Sequence, residues 1–161
     1  MAYQGLDTYL NDHHAGATAG VNLAQMASEE HRSDEHGAFF GEIASEIKAD
    51  HDKLEQLMQE LSVEKSATKT AAAEIGSKVM TPKFTGDDDN LNAFTVIETL
   101  SIGVEGKICM WKALKQVESD NPTLAGFGID ELLARGEDQR SRLEAKRLEI
   151  APLALAHTVS A

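Results

Sequence analysis

The stretch Ser33 to Leu61, SDEHGAFFGEIASEIKADHDKLEQLMQEL, sets the architecture. Within it Phe40, Ile43, Ile47, Asp50, Leu54, Leu57 and Leu61 recur at alternating spacings of three and four. That period lays them along one stripe of an α-helix. Six of the seven are large and apolar, and the seventh is Asp50. A carboxylate in a core stripe is costly unless it is paired or bound. What the rest of the chain brings to Asp50 is therefore the central question.

The 161 residues suit a single domain, residues 1–161, with a real core. Apolar residues make up 42% and charged residues 26%, the balance of a soluble globular chain. Few aromatics, three prolines and abundant Ala, Leu, Glu and Lys favour helix, and no strand-like alternation occurs. The net charge is −12, concentrated in residues 1–62, which hold 12 acidic and 3 basic side chains. Such a surface repels phosphate backbones and anionic membranes, so neither nucleic acid nor membrane is expected as a partner. The one cysteine, Cys109, rules out an internal disulfide and suits a reducing cytoplasm. No leader-like basic and apolar run opens the sequence, and no apolar segment reaches membrane-spanning length.

Four long helices are expected. The first spans about 6–30, with a stripe of Leu6, Leu10, His13, Ala17, Val21, Ala24 and Met26 or Ala27. The second spans about 34–62, with Ser33 as N-cap. The segment SATKTAAAEIGSKV reads as a short helix at about 66–79, and Asp87, Asp88 and Asp89 suit the start of the third helix. The third spans about 90–119, with Phe94, Ile97, Ser101, Val104, Ile108 and Trp111 in line. NPTLAGFG breaks it. The fourth spans about 130–150, stopping before Pro152, with Ile129, Leu132, Gly136, Gln139, Leu143, Arg147 and Ile150 in line. Two antiparallel hairpins joined by a long crossover predict an all-α four-helix bundle with helices 2 and 3 parallel.

Bundle geometry then assigns levels. Facing positions sum to about 64 on the first hairpin and about 249 on the second, and helices 2 and 3 differ by about 56. His13 faces His51, Glu105 faces Glu144, Lys107 faces Arg142, and Asp50 lies level with Gly106. Trp111 falls level with Gly136, which would seat the indole against helix 4. Two readings of this layer compete. In the first, His13, Asp50, Lys107, Gln139 and Arg142 form a buried polar layer that fixes helix register. In the second, His13, Asp50 and Glu105 ligate iron or manganese, with His51, Glu98 and Glu144 as further ligands.

The segments YLNDHHAGATAG, EIASEIKADHDKLEQL and FTVIETLSIGVEGKICMWKAL resemble the ferritin-like superfamily. The resemblance implies this bundle topology and, in many members, a di-iron carboxylate site. The family pattern is Glu on helices 1 and 3 and Glu-x-x-His on helices 2 and 4. No Glu-x-x-His occurs here, since Leu10, Asn11, Ser28, Ser33 and Lys48 stand three before His13, His14, His31, His36 and His51. His13 would replace the helix 1 ligand and Asp50 one of helix 2, with Glu98 or Glu105 on helix 3. The sequence thus resembles an uncharacterised branch that kept the fold and replaced the metal with salt bridges. The expected role is a structural or interaction bundle that self-associates as a dimer. The alternative is a mononuclear or degenerate di-metal protein of stress or metal handling. Cys109, with no histidine near it on its helix, is not read as a nucleophile.

Overall fold

A computed structural model of the chain describes residues 4–66 and 88–156, and these are all helix, turn and short connection. Helix α1 is Gln4–Glu30, α2 is Gly37–Glu60 and α3 is Asp89–Gln116. A single 3-10 turn, Glu118–Asp120, and a one-turn helix α4, Pro122–Ala125, lead into α5, Ile129–Leu155. The expected short helix at 66–79 lies, apart from its first residue, outside the described residues. No described helix is long and apolar enough to cross a membrane.

Local chemistry sets the helix ends. Asp88 caps α3, its carboxylate accepting from the N–H groups of Asn90 and Leu91 at 3.1 Å each. Asn121 does the same for Thr123 and Leu124 at α4. The exit from α2 is a Schellman turn: Val63 N–H reaches Met58 O at 2.8 Å and Ser62 N–H reaches Gln59 O at 3.0 Å. Ser62 holds the left-handed conformation there, with φ 57°.

Two expected ends are corrected. Ser33 does not cap α2, because the chain makes further turns through Asp34 before the helix starts at Gly37. The Asp34 carboxylate accepts from His36 N–H at 2.8 Å and pairs with His31 Nδ1 at 2.6 Å. The last long helix does not stop at Ile150 but continues through Pro152 to Leu155. The proline sits in the final turn, where one missing N–H and one crowded carbonyl are tolerable, and Ala151 and Ala154 still pack on the core.

α1 packs against α2 and α3 against α5, and the two hairpins meet chiefly along α1 and α3. His36 reaches Asn90 and Asp50 reaches Lys107, so positions on α2 and α3 advance together and the helices run parallel. Along the first hairpin, His14 meets Glu55 and Thr18 meets His51, giving facing positions that sum to 69 rather than 64. The longer turn displaced the register, and His13 does not face His51. On the second hairpin Glu105 faces Arg140, not Glu144. The site of Gly136 is filled by Ile108, whose Cγ1 would lie 2.9 Å from an added Cβ, while Trp111 stacks on Phe127 with ring centroids 6.4 Å apart.

The apolar stripes build two clusters. One gathers Phe40, Ile43, Phe94, Ile97, Ile108, Leu143 and Ile150. The other gathers Leu10, Leu54, Leu57, Met110, Trp111, Ile129 and Leu132. Near where the clusters meet, α2 carries Asp50, α3 carries Lys107 and α5 carries Gln139.

Candidate functional site

Asp50 is buried at 5% exposure and Gln139 at 1%. Lys107 Nζ lies 2.5 Å from Asp50 Oδ2, and the Gln139 amide donates to the same oxygen at 2.8 Å. The ammonium also donates to Gln139 Oε1, which closes a three-membered ring of contacts. Arg135 Nη2 stands 2.5 Å from the other carboxylate oxygen, Oδ1. Burial pulls the Lys107 ammonium below its ordinary range, and the Asp50 charge and hydrogen bond pull the other way.

Three of the five expected layer residues are thus together, and two are elsewhere. Arg142 is about a third exposed and bridges α2 to α5 at the surface, reaching Glu42 at 3.1 Å, Glu46 at 2.5 Å and Asp138 at 2.8 Å. His13 sits half-buried on α1, edge-on to Tyr9 with centroids 4.6 Å apart. Burial lowers its pKa, against the opposing charge of Asp12. Arg135 was not expected in the layer. Its position four before Gln139, on the same face of α5, is the signal that would have found it.

The expected metal ligands are not brought together. Glu105 is exposed and paired with Arg140 at 3.0 Å, Glu144 with Arg147 at 2.7 Å, and Glu98 lies 3.8 Å from Arg147. Asp50 meets an ammonium, a guanidinium and an amide where a cation would sit. This donor set does not fit a bundle-centre iron or manganese. Among the described residues one group of three, His14, His51 and Glu55, has ligand atoms within 4.8 Å of one another.

Beside the polar layer lies a pocket of about 360 Å³, walled by α1, α2 and α3. Its α1 wall includes Gly16, Ala17, Gly20 and Leu23, and its α3 wall includes Leu100, Gly103, Gly106 and Trp111. Asp50, Lys107 and His13 supply polar edges. A methyl group added at Gly16, Gly20, Gly103 or Gly106 would meet nothing within 4 Å among the described residues. Trp111 is 1% exposed, and its indole N–H finds no acceptor among the described residues.

No family model, curated protein or solved structure matches this chain.

Proposed function

We propose that this chain is a non-enzymatic, ferritin-like helical bundle that binds a small, mostly apolar molecule between α1 and α3. The carrying observation is the open space at Gly16, Gly20, Gly103 and Gly106. A glycine inside a helix costs about 1 kcal/mol relative to alanine. Close approach of a neighbouring helix is the usual return, and among the described residues no atom lies close enough to these four to supply it. What the glycines do create is concave apolar volume in the size range of small-ligand sites, between bundle helices where such sites recur. Asp50 and Lys107 line its polar edge, and with Gln139 behind them they tie α2, α3 and α5 together. The lone cysteine, Cys109, is exposed, which suits a reducing cytoplasm.

The test uses Nile red, a neutral apolar dye, with the single tryptophan, Trp111, as a second reporter in the pocket wall. Saturable dye binding by the wild type, lost in a well-folded Gly103→Leu variant, is the expected result. Equal binding by both proteins would overturn the proposal.

A second reading is self-association across the same face as a homodimer. It is favoured by Ile102, which is 69% exposed at the pocket rim. Light scattering separates the two readings: a dimer that Ile102→Asp converts to monomer, without dye binding in either form, favours the second.

A further inference from the structure

We propose that His14, His51 and Glu55 form a binding site for a borderline divalent metal ion, of the zinc class, on the α1–α2 hairpin. The site is separate from the bundle centre, because α3 and α5 contribute nothing to it. His51 and Glu55 are four residues apart on α2 and so share a face, and His14 comes from the facing side of α1. His14 Nε2 lies 2.8 Å from Glu55 Oε1, and the two imidazole rings have centroids 5.0 Å apart. Ligand atoms of all three fall within 4.8 Å of one another. An ion bound at about 2.0–2.2 Å to nitrogen and oxygen bridges nearly that span, so small rotamer changes suffice.

The chemistry of the donors agrees. Two imidazoles and one carboxylate suit zinc or ferrous iron better than calcium or magnesium, which prefer all-oxygen cages. Both histidines are only 13% exposed, so the site is partly shielded. Asp52 Oδ1 lies 3.7 Å from His51 Nδ1, where an outer carboxylate would orient the ring while Nε2 ligates. Thr18 Oγ1, 3.1 Å from His51 Nε2, is the neighbour that would give way or join.

One group competes with the ion. Lys65 Nζ sits 2.6 Å from Glu55 Oε1, the oxygen that also meets His14. The lysine side chain is 53% exposed and free to swing outward, so it acts as a displaceable monovalent cation.

The experiment is calorimetric titration of the full chain with Zn²⁺, with Co²⁺ absorption as a check on ligand geometry. One ion per chain is expected. His51→Asn and Glu55→Gln are each expected to weaken binding by about 10-fold or more. Lys65→Met is expected to tighten it more than Lys112→Met, which removes the same charge from α3 and so measures the general acidic surface. His13→Asn, a neighbour outside the triad, is expected to leave it unchanged. No binding by the wild type, or binding that His51→Asn and Lys65→Met leave unmoved, overturns the proposal.

Discussion

Gln139 on α5 donates its amide to Asp50 on α2 at 2.8 Å, with both side chains buried. The backbones of α2 and α5 approach each other little, so long side chains span the gap between them. Asp50 is the hub, taking Gln139 and Lys107 on one oxygen and Arg135 on the other. A hub of this kind adds little net stability over an apolar layer of the same volume. Desolvating a carboxylate and an ammonium costs several kcal/mol per ion, offset by their attraction and hydrogen bonds.

The first prediction follows from that asymmetry. Lys107→Met leaves a buried carboxylate with only the half-exposed Arg135 as a countercharge, and is expected to cost about 3 kcal/mol. Replacing the whole set, Asp50→Leu with Lys107→Met and Gln139→Leu, is expected to recover most of that loss. Urea midpoints at constant m-value are the measurement. A triple variant less stable than Lys107→Met alone would show that the layer stabilises the fold outright.

The second prediction concerns glycines that look alike in sequence. Gly103→Ala and Gly106→Ala meet open space and are each expected to stabilise the chain by up to about 1 kcal/mol. Gly37→Ala is expected to destabilise it, because the new Cβ would sit 2.5 Å from His31 O and 2.9 Å from Arg32 O, both rigid backbone. Thermal unfolding of the three single variants tests this. Equal shifts would mean that helix propensity alone governs these positions.

The same contrast marks what was readable in the sequence. Periodicity placed the stripes well: Phe40, Ile43, Leu54 and Leu57 are buried as expected, and so are Leu132, Gly136, Gln139 and Leu143. Asp50 stood out because it broke such a stripe, and Lys107 followed from a parallel offset that the structure reproduces. The turn through His31–Gly37 was not readable. Its length depends on the side chain of Asp34 bonding back to His31 and His36 N–H, a local contact that no period encodes. That error moved every facing position on the first hairpin, and it hid the His14–Glu55 contact. Arg142 was misplaced for a related reason. A charged residue beside a core stripe can turn to the surface, and three surface carboxylates hold it there.

The third prediction is a loss of stability in acid that two carboxylates share. Hydrogen bonds from Lys65 and His14 hold Glu55 at about 2 against its ordinary 4.5, with His51 adding charge nearby. Burial would raise the Asp34 pKa, but its hydrogen bonds from His31 and from His36 N–H outweigh that and lower it. Both folded pKa values lie below the unfolded ones, so the unfolded chain binds more protons at intermediate pH. The stabilising contribution is therefore complete above the unfolded carboxylate range. It is lost as pH falls, for Glu55 between about 4.5 and about 2. In chelator, so that no metal intervenes, wild type and Glu55→Gln are expected to differ in urea midpoint near neutrality and to converge toward pH 2. Asp34→Asn is expected to behave likewise, with its loss accompanied by fraying of the α1–α2 turn in hydrogen exchange. Midpoint curves that run parallel down to pH 2 would show that neither carboxylate carries linkage, and that the Lys65–Glu55 pair is fully screened by solvent.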